Sequence, residues 1–338
     1  MEFIIFKQPP HSFTKKHTNF HPAIAILLWQ RGLRTAKEIE EFLNPTYGLE
    51  INGDKQYDPF KFKEMGDVVK RILDAARKKE RVVVYGDYDA DGVCSSVLLI
   101  EALEKLYGVK QTHRENETDK KLISVYLPHR EEEGYGLTMR AVEYLKNQGA
   151  KLVITCDCGT GNIAELQALR DAKIDAIVLD HHLAPKTRPP AFGFVNPKFE
   201  KESYPFRELA GCGVVFKVVQ GLRDYLQKKH SRPLIGEAFE KWSLDLVALA
   251  TVADMMPLQK ENRILVKWGL FVMNKLRRTG VKALAKSSRL TRAISAYDIS
   301  FILAPRINAA GRIDHANVAY DLLRETNYTN ALKDAEVL

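Results

Sequence analysis

The chain has 338 residues, 45% hydrophobic and 28% charged, which exceeds the usual reach of one hydrophobic core and excludes a disordered or low-complexity polymer; two lobes, or one domain with a sizeable extension, are expected. Four cysteines with no recurring C-x2-C pair exclude a disulfide scaffold and a structural zinc site, so a reducing, cytoplasmic setting is expected. No run reaches about 18 apolar residues, and Lys7, Pro9 and Pro10 interrupt the first ten, so neither a membrane span nor an export signal is expected.

In chain order, residues 1–80 read as a helical extension, with apolar residues at helical spacing over 24–29, 36–42 and 62–78. From Arg81 the pattern changes to short apolar runs at 82–85, 123–127, 152–155, 176–179 and 192–195, each followed by a loop and then a helical segment. Continuous apolar runs alternating with helices predict an α/β fold, a parallel sheet flanked by helices, over 81–206. The polar run KQTHRENETDKK at 110–121 reads as a mobile surface loop. From 207 to 338 the periodicity is helical, running into a connecting helix. This part carries the charge asymmetry behind the net +8: ten lysines and arginines face one acid, Glu261, between Gln259 and Arg292. A solvated face normally mixes both signs, so the stretch, with Lys275, Arg277 and Arg278 at its centre, is expected to contact a phosphate backbone.

Ligands of an open parallel sheet bind beyond the carboxyl ends of its strands, and here those ends carry acids and histidines. Asp87, Asp89 and Asp91 lie in GDYDADG after the first run, Asp157 follows the third, and Asp180, His181 and His182 follow the fourth; Asp254 ends the apolar stretch 244–253. So many carboxylates at one edge repel unless cations neutralise them. An oxygen-rich set with one or two imidazoles suits Mn²⁺ or Mg²⁺ better than zinc, and two ions sharing a bridging carboxylate are expected. Adjacent His181 and His182 point apart, so one serves the ion and the other substrate or a structural hydrogen bond.

Simpler explanations exist for several of these residues. Asp87-x-Asp89-x-Asp91-Gly92 opens like a calcium loop, but its twelfth position is Leu98 where a glutamate is needed. Asp-x-Asp-Gly after a strand is also similar to the haloacid-dehalogenase phosphatase loop, with Val93 where that family wants threonine. Asp157 taken alone could be a helix cap, and Cys156 and Cys158 read as buried packing residues. Gly211 and Gly213, at the start of a helical run, could offer backbone N–H groups to a phosphate. In APRINAAGR, Pro305 is expected to end a helix and leave Arg306, Asn308 and Arg312 in a loop that grips phosphate oxygens.

Together GDYDADG (86–92), CDCG (156–159), LDHH (179–182), NPK (196–198), LAGCGVVFK (209–217), ALATVADMMPL (248–258) and PRINAAGR (305–312) resemble the DHH phosphoesterases, and within them the bacterial exonucleases specific for single strands. RGLRTAKEIEEFLNP at 31–45 matches their lead-in, so the resemblance covers essentially the whole chain. By position it implies metal ligands at Asp89, Asp91, Asp157, His181 and Asp254, catalytic motif residues at Asp87 and Asp180, and a phosphate contact at His182. It implies a manganese- or magnesium-dependent 5′-to-3′ exonuclease of single-stranded DNA, active in repair and recombination and releasing mononucleotides; a relative acting on short oligonucleotides or cyclic dinucleotides would share the site. Some members carry a histidine four residues before Asp89, where this chain has Tyr85, so a thinner or water-completed ion shell is expected. The family continues into a second, glycine-rich domain beyond a connecting helix, so a chain ending at Leu338 is expected to be a fragment or a natural truncation.

Overall fold

The computed structural model describes residues 8–48, 56–109, 122–228, 233–313 and 315–338, except the side chains of 312 and 313. The expected loop at 110–121 lies outside the described residues. All five apolar runs are strands: β1 (Val82–Gly86), β2 (Ile123–Tyr126), β3 (Leu152–Cys156), β4 (Asp175–Leu179) and β5 (Gly193–Val195). They pair in parallel as one sheet in the order β2-β1-β3-β4-β5. Strand side chains alternate between faces, and both faces are covered. Val82, Val84, Leu152 and Ile154 enter one core, with the helices Met65–Lys78, Ala90–Tyr107 and Gly211–Gln227. Val83, Tyr85, Val153 and Val178 enter the other, against the helices Met139–Asn147 and Ile163–Asp171.

Burial on both sides explains why these strands read as unbroken apolar runs. The strand order fixes where a ligand can sit. The chain steps outward from β1 to β2, then crosses back to β3, so the connections leaving β1 and β3 diverge and open a crevice at the carboxyl edge between them.

Two parts differ from the sequence expectation. The helix Met65–Lys78, grouped with the extension, packs into the sheet's core, because its buried stripe Val68, Val69, Ile72 and Ala76 faces the helix Gly211–Gln227 and β5. The earlier helices His11–Lys16, Pro22–Gln30 and Ala36–Leu43 share only a small cluster of their own around Phe13, Leu28 and Ile39. The second difference is at Pro305, which does not end a helix: a π-helical turn, Ile299–Leu303, runs directly into the helix Ala304–Ile313. Proline lacks the N–H of an ordinary turn and crowds the carbonyl four residues back, and the wider turn before it relieves both conflicts. Arg306, Asn308 and Arg312 therefore lie on a helix and not in a loop.

Candidate metal centre at the carboxyl edge of the sheet

The acids arrive at the crevice from three places in the fold. Asp89 caps the helix Ala90–Tyr107, its Oδ1 accepting from the N–H groups of Asp91 (2.9 Å) and Gly92 (3.0 Å). Asp91, in that helix's first turn, reaches across to the start of the helix Gly211–Gln227, where its two oxygens accept from the N–H groups of Gly211 and Cys212 at 2.7 Å each. Asp157 follows β3 in the left-handed region, φ 63°, a conformation that aspartate tolerates better than most residues and that clusters at functional sites. Asp254 closes the helix Leu244–Ala253.

His181 joins them. Its Nε2 lies 3.2 Å from Asp157 Oδ1, 3.5 Å from Asp254 Oδ2 and 3.8 Å from Asp91 Oδ2. Three overlapping groups have donor atoms within 4.8 Å of one another: Asp91, His181 and Asp254; Asp157, His181 and His182; and Asp87, Asp89 and Asp157. Asp157 belongs to two of them, the position a bridging carboxylate needs.

The electrostatics are those of a site short of positive charge. Burial, then the charge of Asp89, pushes the Asp87 carboxyl up to about 7, and the same causes push Asp254 up to about 6. Asp91 and Asp157 rise well above the ordinary carboxylate range through burial and the repulsion of neighbouring carboxylates. Burial, then neighbouring His182, pushes His181 down to about 4, so its imidazole stays a neutral lone-pair donor. Asp157 Oδ1, Asp87 Oδ1 and His181 Nε2 are buried without a hydrogen-bond partner among the described residues. Buried polar atoms without partners are costly, and hard divalent cations in the two groups that share Asp157 would satisfy all three. Cys156 and Cys158 offer no thiolate: burial raises both thiols, and they pack into the cores on opposite faces of the sheet.

A model of the DHH family, N-terminal domain, matches residues 81–251, half of the chain. The chain belongs to the DHH family. Among curated DHH relatives, the single-stranded-DNA-specific exonuclease RecJ of Bacillus subtilis (strain 168) is 35% identical over 303 residues, covering 89% of this chain and 34% of that protein. A crystal structure of exonuclease RecJ bound to manganese aligns with a TM-score of 0.67 and 32% identity over 83% of this chain and 65% of that one. RecJ of Thermus thermophilus in complex with Mn²⁺ aligns with a TM-score of 0.75 and 28% identity over 98% of this chain and 43% of that one. This DHH chain spans between a third and about half of the length of the curated relatives it matches.

The remaining motif residues divide. Asp180 is fully buried and accepts from the N–H groups of Thr160 (3.0 Å), His181 (2.7 Å) and His182 (3.1 Å) and from His182 Nδ1 (2.8 Å). Expected as catalytic, it orients the two histidines and has no free face for a substrate. The two imidazoles do not point apart as expected: their ring centroids are 4.7 Å apart with planes at 59°, and His181 Nε2 and His182 Nδ1 lie 3.2 and 3.8 Å from the same Asp157 Oδ1, although His181 is buried and His182 is half-exposed. Tyr85 does not stand in for a histidine, because its hydroxyl donates to Gly136 O at 2.8 Å in the opposite core.

The expected phosphate contacts fare unevenly. The N–H groups of Gly211 and Cys212 are taken by Asp91, which occupies the helix N-terminus where a phosphate was expected; Gly211 is small because a Cβ there would meet Asp157 Oδ1 at 2.6 Å, and one at Gly213 would meet Leu209. Arg278 is only 13% exposed and is held by Asp245 at 2.9 Å and Glu101 at 2.7 Å, so it is not free to track a strand. Lys275 and Arg277 are exposed and lie over the rings of Phe271 and Trp242, but beside the start of the helix that Asp254 ends, roughly 14 Å away at 1.5 Å per residue. Asn308 ties its helix to the metal loop by accepting from Ala90 N–H at 2.7 Å. Arg306 is half-buried with no ion pair among the described residues; the Arg312 side chain lies outside them.

The sequence reading missed Tyr135, Arg130 and Lys198. Tyr135 OH lies 2.9 Å from His182 Nδ1, Arg130 sits over the Tyr88 ring and its charge reaches Asp87, and the charge of Lys198 reaches His181 and Asp254. The glycines flanking Tyr135 and the lysine of NPK were the available signals.

Proposed function

We propose that this chain carries a metal-dependent 5′-to-3′ exonuclease that hydrolyses single-stranded DNA to mononucleotides in cytoplasmic repair and recombination. Two Mn²⁺ or Mg²⁺ ions would be held by Asp89, Asp91, Asp157, His181 and Asp254, with Asp87 completing the second position beside Asp89 and Asp157. The observation that carries this is the buried pair Asp157 Oδ1 and His181 Nε2, 3.2 Å apart and both without a hydrogen bond, inside a ring of mutually repelling carboxylates. The names of the relatives supply the substrate class, and no described helix is long and apolar enough to cross a membrane.

Divalent ions bound there lend Lewis acidity to water and to the phosphate. The side chains supply the rest. Asp180 fixes the His182 ring through Nδ1, leaving Nε2 as the end that meets a phosphate oxygen. Arg306, half-buried on the helix that Asn308 anchors at Ala90, would offer its guanidinium to the substrate backbone. The inward face of the crevice, walled by the two cores, limits water around the reacting group.

The test is digestion of end-labelled single- and double-stranded DNA and RNA with Mn²⁺, Mg²⁺ or a chelator. Release of mononucleotides from the 5′ end of single-stranded DNA, only with the ions, is expected. Equal turnover in chelator, or preference for short cyclic or two-residue substrates over long strands, would overturn the reading.

A further inference from the structure

We propose that Tyr135 is a positioning residue for phosphodiester hydrolysis, locking His182 and the backbone of Asp157 into one geometry; this rests on the function proposed above. Tyr135 is 49% exposed, yet little about it is loose. It stands between Gly134 and Gly136, both in the left-handed region at φ 74° and 85°, conformations that glycine adopts without penalty. The loop is clamped from behind. Gly136 O accepts from Tyr85 OH at 2.8 Å, and Asn162 accepts from Leu137 N–H (3.1 Å) and donates to Leu137 O (2.8 Å). A Cβ at Gly136 would come within 2.8 Å of the Asn162 Oδ1. A surface tyrosine buries too little area to account for such anchoring; its hydroxyl accounts for it.

That hydroxyl donates to Asp157 O at 3.2 Å and lies 2.9 Å from His182 Nδ1. The Nδ1 proton is shared with Asp180 Oδ1 at 2.8 Å. Asp180 sits two residues from His182 on the same loop, so its bond alone moves with that loop. Tyr135 adds an oxygen from the segment after β2, and two acceptors from independent segments fix the imidazole plane where one permits tilting. The same hydroxyl holds the carbonyl of Asp157, a non-glycine residue in the left-handed region that needs restraint. Tyr135 thereby ties the histidine facing the phosphate to the residue shared by two metal-binding groups.

The test is Tyr135→Phe, alone and combined with His182→Ala, assayed on single-stranded DNA and on bis(p-nitrophenyl) phosphate, with melting curves over a Mn²⁺ titration. Tyr135→Phe should lower kcat about 10- to 100-fold, the usual range for partners that orient a metal site, leaving KM and the Mn²⁺-induced rise in Tm nearly unchanged. In the His182→Ala background the same change should cost distinctly less, since there is no ring left to position and only the tie to the Asp157 backbone remains to be lost. An equal loss with and without His182, a loss confined to KM, or full activity of Tyr135→Phe would each overturn the proposal. If the wild type cleaves the small diester with Mn²⁺ but not DNA, the substrate assignment fails while the coupling between Tyr135 and His182 is still read on the diester.

Discussion

Two regions of this protein bury charge, and they do so in opposite ways. Beneath the helical half, Lys217 is fully buried, and its three ammonium protons are matched by Tyr57 O (2.9 Å), Gln220 Oε1 (2.9 Å) and Glu261. Glu261 in turn accepts from Tyr204 OH (2.6 Å) and Tyr57 N–H (3.2 Å). Every group finds its complement within the chain, and the result ties the segment after the N-terminal helices to the helices Gly211–Gln227 and Lys260–Met273. At the sheet edge, several carboxylates converge with one inward imidazole, and the charges of Arg130 and Lys198 reach them but, among the described residues, neither makes an ion pair with the cluster. Burial is comparable, but completeness is not. Charge balanced from within reads as architecture; charge of one sign with partnerless buried oxygens reads as a place for an external cation.

The largest effects should come from breaking the incomplete cluster. Asp157→Asn removes the shared ligand, so turnover should fall on the order of a thousandfold or more, as expected when several kcal/mol of charge stabilisation by metal is lost. The Mn²⁺-induced rise in Tm should vanish with it, while the Tm without metal should hold or increase, because one repelling charge is gone. Persisting Mn²⁺ stabilisation and activity in that variant would show that the cluster does not bind the catalytic ions.

Lys217→Met should do the reverse. Breaking one side of a buried, completed pair leaves Glu261 unpaired and costs roughly 3–5 kcal/mol, seen as a lower urea midpoint, yet Mn²⁺ should still raise the Tm. Adding Glu261→Gln should restore part of the stability, since removing both charges is far cheaper than removing one. A loss near zero for Lys217→Met would mean that the pair carries no architecture and the contrast is only one of geometry.

The same contrast marks what was legible in the sequence. The strands were readable because burial on both faces makes each a continuous apolar run, and the ligand candidates because an aspartate after such a run has few structural uses that recur three times. Local patterns do not encode what lies opposite a side chain. Asp91 filling the helix start at Gly211 and Cys212 displaced the phosphate expected there, and the pairing of Arg278 with Asp245 and Glu101 removed it from the basic surface. Both depend on residues more than 30 positions away. Pro305 misled because the π turn that accommodates it has no sequence signature, and Tyr135 was overlooked because its partners come from two later segments.

The smallest effect is expected where the sequence suggested a large one. Lys275 and Arg277 lie near Asp245, at the start of the helix whose far end carries Asp254, so a strand gripped at the metal centre meets them only if it runs the length of that helix. Each direct phosphate contact on a single strand contributes about 0.7 to the slope of log K against log salt. Replacing both residues with alanine should change that slope by less than one such contact and leave kcat unaltered, as read by fluorescence anisotropy across a salt series. Arg278→Ala should leave the slope unchanged as well, but it should lower stability, since it strands Asp245 and Glu101 without their cation. A slope flattened by a full contact or more in the double variant would show that bound DNA does follow the basic surface, and that part of its positive charge serves the substrate even though Arg278, its ion-paired member, belongs to the fold.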